Sequence, residues 1–129
     1  CGSGILGISA VLLGAKSAYL TDIDPVATES AAHNCALNGV ADRCTVIRTD
    51  LVGEGEVVAD IALANITADV LCRLAPEMPA HVRAGGTLIL SGIIEEKLQG
   101  VLQAFGAVGF AHNKTVHKGE WYAVSFTKE

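Results

Sequence analysis

The sequence predicts an α/β fold whose mostly parallel sheet ends in an antiparallel hairpin. Three observations predict it. Short apolar runs alternate with helical segments along most of the chain, and that order stacks helices on a parallel sheet. A glycine loop, Gly2-Ser3-Gly4-Ile5-Leu6-Gly7, opens the first helical segment, where a strand normally hands over to a helix. The last two strand-type runs are joined by a short turn at Lys118-Gly119, and strands joined so tightly must run antiparallel.

Local chemistry justifies each element in turn. Gly4 to Leu13 is apolar, contains no proline and stops at Gly14, a good helix terminator. Ser17 to Thr21 reads as a short buried strand. Asp24 caps the next helix and Pro25 fits its first turn; the helix runs to Leu37 and closes at Asn38-Gly39. Cys44 to Arg48 is a β-branched strand, and Gly53-Glu54-Gly55 a loop. Asp60 to Ala64 is an apolar strand that stops at Asn65. Thr67 to Val82 has a helical pattern that Pro76 and Pro79 kink or divide. Ala84-Gly85-Gly86 reads as a turn before a strand from Thr87 to Leu90. Glu95 to Phe105 is amphipathic, and Glu95 and Glu96 suit a helix N-terminus electrostatically. Phe110 to His117 and Trp121 to Thr127 form the hairpin.

Composition sets limits. The 129 residues are 50% hydrophobic, enough for the core of one domain. Nine Lys and Arg stand against fourteen Asp and Glu, a formal charge of −5, which argues against a broad grip on a nucleic-acid backbone. No apolar run approaches the roughly 20 residues of a membrane span. Cys1, Cys35, Cys44 and Cys72 are scattered without a CxxC pair, a usage that suits the reducing cytoplasm. His33 and Cys35 are near neighbours but match no metal spacing, so no metal site is expected.

The chemistry concentrates at strand ends. Gly2 to Gly7 fits G-x-G-x-x-G, and Asp22 lies twenty positions beyond Gly2 at the end of the next strand. Glycines let a ligand approach the backbone, a helix N-terminus favours anionic or polar groups, and the carboxylate can accept from both ribose hydroxyls. Glycines alone would read as packing; the placed Asp22 makes an adenosine site the better reading. Asp24, before Pro25, is assigned to the helix cap. Asp50 is a candidate acceptor for the exocyclic amine of adenine, with Leu51 beside the ring, weighed evenly against a plain loop aspartate. Asn65 faces the crevice where a ligand's reactive end should lie, or is simply a turn-forming residue. Nicotinamide dinucleotides and S-adenosylmethionine both fit this spacing; the closing hairpin and Asn65 favour the second. Trp121 and Tyr122 alternate across one strand, and Trp121 is expected in the core, with a substrate-facing position as the alternative. His112 and His117 are expected as surface residues and not as acid–base groups, and Lys114, Lys118 and Lys128 on a solvated face.

Cys-Gly-Ser-Gly-Ile-Leu at 1–6 and Asp-Ile-Asp-Pro-Val-Ala at 22–27 resemble the class I S-adenosylmethionine-dependent methyltransferases. Asn34 to Gly39, Ala64-Asn65-Ile66, Ser91-Gly92-Ile93-Ile94 and Gly119-Glu120-Trp121 narrow the resemblance to the ribosomal protein L11 methyltransferase family, over nearly the whole chain. The resemblance implies a Rossmann-like three-layer sandwich. It implies transfer of methyl groups from S-adenosylmethionine to lysine side chains and the N-terminal amine of L11, with S-adenosylhomocysteine as product. It makes Asp22 the ribose-binding acid, places Gly2 and Gly4 in the cofactor loop, and sets Asn65 at the reacting end. The candidate cofactor-binding residues are thus Gly2, Gly4, Asp22, Ile23, Asp50, Leu51 and Asn65, with Asn65 also catalytic.

The chain departs from the family pattern as well. Members carry a strand and a further glycine before the position of Cys1, and a separate N-terminal domain that recognises the substrate. Thr67 stands where leucine is common. Residues 1–129 are therefore expected to be a catalytic domain without its first strand or recognition domain, poorly folded alone. The partner implied is L11, with no membrane and no broad nucleic-acid contact. The competing functions are a methyltransferase acting on RNA or a small molecule, an NAD-dependent oxidoreductase, and a module that senses the cofactor without chemistry.

Overall fold

A computed structural model describes residues 1–49 and 57–129. Asp50, Leu51 and the loop expected at 53–55 lie outside the described residues. The chain divides into two compact units, Cys1–Glu54 and Gly55–Glu129.

The first unit contains α1 (Ile5–Leu12), β1 (Ala18–Asp22), α2 (Pro25–Leu37), a 3-10 turn (Ala41–Arg43) and β2 (Cys44–Arg48). β1 and β2 pair in parallel, from Ala18 opposite Cys44 to Asp22 opposite Arg48. Both helices present short apolar faces to one core. Ile8 and Val11 of α1 meet Leu20 of β1 and Ala31 and Cys35 of α2, spacings of three and four residues that share a helix face. Gly7 sits where α1 crosses β1: a Cβ there would fall 2.8 Å from the Leu20 side chain. The third glycine of the motif thus serves helix–strand packing. Asp24 caps α2 as expected, its carboxylate accepting from the Val26 N–H at 2.9 Å. The helix ends at Asn38, before Gly39 in the left-handed region.

The second unit contains β3 (Ala59–Asn65), α3 (Ala68–Leu74), a 3-10 turn (Met78–His81), β4 (Val82–Ile94), α4 (Glu95–Gly106), β5 (Phe110–Lys118) and β6 (Trp121–Lys128). Its sheet has the order β3-β4-β6-β5. β3 and β4 are parallel, whereas β6 is antiparallel to both its neighbours. The expected hairpin is present, and β6 returns between β4 and β5 because both its edges find partners there. Phe105, Phe110 and Phe126 pack ring against ring, with centroids 5.7 to 6.3 Å apart, beside buried Leu88, Leu90 and Val124. The fold class is the expected one, parallel pairs of α/β type followed by a terminal antiparallel hairpin.

One expectation is met and two are corrected. The prolines divide the segment 67–82, one of the two outcomes expected: α3 stops at Leu74, and Pro79 is the second residue of a separate 3-10 turn. Ala84-Gly85-Gly86 lies inside β4, not before it. Pairing begins at Val82 opposite Ala59 and resumes at Thr87 opposite Ile61, so the intervening residues form an irregularity within one strand. Gly85 has φ +79°, and a Cβ on Gly86 would meet the Asp60 carbonyl oxygen at 3.0 Å. Lys128 does not lie on a solvated face; its ammonium donates to the carbonyl oxygens of Pro79 and Val82 and ties the end of β6 to the start of β4. Among the described residues no helix is long and apolar enough to cross a membrane.

Candidate functional site

In the first unit the glycine loop curls against the end of β1. Gly2 and Gly4 have φ of 51° and 84°, values that favour glycine. The Gly4 N–H donates to the Cys1 carbonyl at 2.8 Å, and the Gly4 carbonyl accepts the first bond of α1 from Ile8 at 2.9 Å. A Cβ on Gly4 would lie 3.2 Å from that of Ala31, so the loop sits tightly on α2. Asn34 of α2 holds it there: its amide donates to the Ser3 carbonyl at 2.9 Å.

Asp22, the last residue of β1, faces this loop with its side chain 22% exposed. One carboxylate oxygen accepts from the Cys1 backbone nitrogen at 2.8 Å and from the Gly2 N–H at 3.1 Å. The other accepts from the Asp24 N–H at 3.0 Å. The Asp24 and Gly2 N–H groups favour the charged form and lower the carboxyl's pKa, and burial opposes them. It is therefore an anion throughout the neutral range. A carboxylate offers about four lone-pair positions, and three are used. One further hydroxyl fits directly; a second would take over the bond from Cys1. Ile23 follows with 60% of its surface exposed, and its carbonyl accepts from Arg48 at 3.1 Å.

In the second unit the expected residue, Asn65, ends β3 opposite Ser91 of β4. Pairing of β4 with β6 steps from Leu90–Val124 to Ile93–Tyr122, so β4 carries one extra residue here, a bulge. Gly92 lies in it with φ +79°. A Cβ on Gly92 would lie 2.7 Å from Asn65 Oδ1 and 2.9 Å from the Ile66 carbonyl oxygen. The bulge glycine thereby leaves room for two neighbouring oxygen acceptors. They open into a pocket of about 660 Å³ walled by Thr67, Ser91 and Gly92 on one side and by Val116, His117, Lys118, Trp121 and Tyr122 on the other.

Trp121 corrects its expectation: it is 53% exposed and lines this pocket. It is the first residue of β6, beyond the stretch where Val124 and Phe126 enter the core. His117 is exposed as expected and stacks on Tyr122, with centroids 5.1 Å apart and planes 26° from parallel. The structure thus brings Gly2, Gly4 and Asp22 together in one unit and Asn65, Ile66 and Gly92 in the other. His33 is exposed and Cys35 buried. Burial and contact with Cys35 push the Cys44 thiol up, so this pair behaves as core. Sequence reasoning missed two residues. No spacing rule links Asn34 to a loop thirty-one positions upstream. The bulge that makes Gly92 necessary exists only in the paired sheet.

A glycine loop, an acid closing β1, a polar residue closing β3 and a final antiparallel hairpin define the class: a Rossmann-like methyltransferase fold. The chain matches, over residues 1–129, the family model described as ribosomal protein L11 methyltransferase (PrmA), and it belongs to that family. It is 44% identical over 123 residues to the ribosomal protein L11 methyltransferase of Heliobacterium modesticaldum, covering 95% of this chain and 39% of that protein. It is 46% identical over 121 residues to that of Geobacter metallireducens, covering 93% and 39%. The chain thus spans about two fifths of these relatives' length. A crystal structure of the ribosomal protein L11 methylase from Lactobacillus delbrueckii subsp. bulgaricus superposes with a TM-score of 0.95 at 34% identity, over 99% of this chain and 66% of that one. An RNA methyltransferase from Salinibacter ruber, in complex with S-adenosyl-L-homocysteine, shares the fold with a TM-score of 0.78 at 20% identity, over 98% and 75%.

Proposed function

We propose that the protein carrying this chain methylates amino groups of ribosomal protein L11, on lysine side chains and at the N-terminus, in the cytoplasm, with S-adenosylmethionine as methyl donor. In this reading residues 1–129 belong to its catalytic domain. The observation that carries it is the pair of oxygen acceptors, Asn65 Oδ1 and the Ile66 carbonyl, kept clear by Gly92 at the mouth of an aromatic-walled pocket, in a chain of this family.

The residues fit the cofactor. Asp22 is anionic, partly exposed and able to accept a further hydroxyl; Gly2 and Gly4 form the loop beside it, and Ile23 offers an exposed apolar surface. These four are assigned to the nucleoside, together with Asp50 and Leu51. S-adenosylmethionine, when bound, supplies an activated methyl group on a positively charged sulfur.

The chain's own task is positioning, because displacement at a methyl carbon needs an aligned lone pair. It also needs a neutral amine. A lysine amine with a pKa of about 10.4 is neutral in roughly one molecule per 10³ or fewer at pH 7, a cost of about 4–5 kcal/mol. Asn65 and the Ile66 carbonyl accept the N–H groups and leave the lone pair free to face the methyl group. A carboxylate in place of Asn65 would stabilise the unreactive ammonium. The aromatic side chains and Val116 keep the amine's surroundings apolar, which favours its neutral form.

The test uses the full-length protein. S-adenosylhomocysteine should raise its melting temperature where NAD does not, and L11 added with S-adenosylmethionine should release S-adenosylhomocysteine. Stabilisation by NAD alone would overturn the reading.

A further inference from the structure

The pocket poses a problem that Asn65 does not solve. An amine arrives as an ammonium and must give up a proton before it can react, and an amide oxygen accepts hydrogen bonds without removing protons. We propose that His117 takes this proton, an assignment that rests on the amine methyltransferase reading.

Three observations support it. Among the described residues that line the pocket, His117 is the one whose side chain is of a type that takes up protons near neutral pH, and none of them is a carboxylate. The ring's tautomer is fixed. Its Nδ1 lies 3.3 Å from the Gly119 carbonyl oxygen; a carbonyl can only accept, so Nδ1 carries the hydrogen and Nε2 keeps the lone pair. The ring is also held in place: His117 and Tyr122 are cross-strand partners and stack face to face.

Among the described residues, three charged or titratable groups stand around it. Tyr122 of β6 is stacked on the ring, Lys118 follows it on the pocket wall, and Glu120 lies in the turn. Across the pocket Asn65, Thr67 and Ser91 do not ionise near neutrality.

The step balances. One N–H bond of the ammonium breaks, an Nε2–H bond forms, and the positive charge passes to the imidazolium. The amine's freed lone pair then forms the bond to the methyl carbon as the carbon–sulfur bond breaks. The product nitrogen is again an ammonium, with one methyl group in place of a hydrogen. His117, exposed to solvent, returns its proton to water and can serve the next methylation.

The experiment compares the full-length wild type with His117→Gln, using L11 as acceptor. At pH 7 kcat/KM should fall by about 10²-fold or more, the range for a positioned base. Near pH 10 the two proteins should converge, because the substrate amine is then already neutral. A structural defect would depress both pH values alike. In parallel, NMR follows the His117 ring in wild type with n-butylammonium as probe and n-butanol as control. The ammonium should lower the pH at which the ring protonates, and the alcohol should not. Equal rates at pH 7, or equal loss at both pH values, or an unmoved midpoint overturns the proposal. The NMR arm needs no turnover. A moved midpoint in a protein that methylates nothing sinks the methyl-transfer reading and this step with it. An unmoved midpoint in a protein that methylates L11 sinks His117 alone.

Discussion

Asp22 and Asn65 end their strands in the same way and, in the proposed reading, do opposite jobs. Asp22 accepts three backbone bonds and is charged; Asn65 offers an uncharged acceptor. Replacing Asp22 by alanine should weaken S-adenosylhomocysteine binding about tenfold or more, since bonds to a charged group contribute roughly 1.5–3 kcal/mol each; calorimetry on the full-length protein measures this, and unchanged affinity places the ribose elsewhere. The backbone N–H bonds to the same carboxyl make stability depend on pH: they favour its charged form, so their stabilisation is present above its ordinary titration range and fades as pH falls through it. Melting temperature should drop more steeply towards low pH in wild type than in Asp22→Asn; parallel curves would contradict these bonds. Asn65→Ala should lower methyl transfer by about 10²-fold, comparable to losing one positioned polar group, and an unchanged rate would remove its role. Asp22 and Asn65 were legible as site candidates because each is a polar residue that ends an apolar run. Trp121 was not, because alternation along a strand says which residues share a face but not where the core stops.

At the scale of the element, punctuation decided what could be read. α2 occupies the expected range, Pro25–Leu37, because Asp24-Pro25 and Asn38-Gly39 fix both ends by local chemistry. β2 likewise matches Cys44–Arg48. β4 does not, since it is defined by its partners: β3 recruits Val82, and β6 reaches Ile94, through glycines that read locally as a turn. Two substitutions probe this level. Asp24→Ala removes the cap of α2 and should cost about 1 kcal/mol, read as a shifted denaturation midpoint. Gly92→Ala combines a positive φ with a 2.7 Å approach to Asn65 Oδ1. It should displace the bulge and abolish most methyl transfer, while S-adenosylhomocysteine affinity falls less than in Asp22→Ala. Full activity in Gly92→Ala would show that the acceptors tolerate rearrangement.

At the scale of the molecule, one hydrophobic half of the composition builds two cores, each with its own strand-end cluster of polar residues. The first presents an anion beside a glycine loop. The second presents neutral acceptors in an aromatic pocket. The division of labour is chemical: a hydroxyl-rich nucleoside needs a charged acceptor, whereas a nucleophilic amine needs an uncharged one. The order of these clusters along the chain was legible because loops at strand ends carry the ligand chemistry of parallel sheets. The most direct measurement is the intact mass of purified L11 after incubation with the full-length protein and S-adenosylmethionine. The account predicts mass increments of whole methyl groups, located at lysines and the N-terminal amine and greatly slowed in Asn65→Ala. L11 of unchanged mass, while RNA or a small molecule in the same assay gains the methyl group, would contradict it.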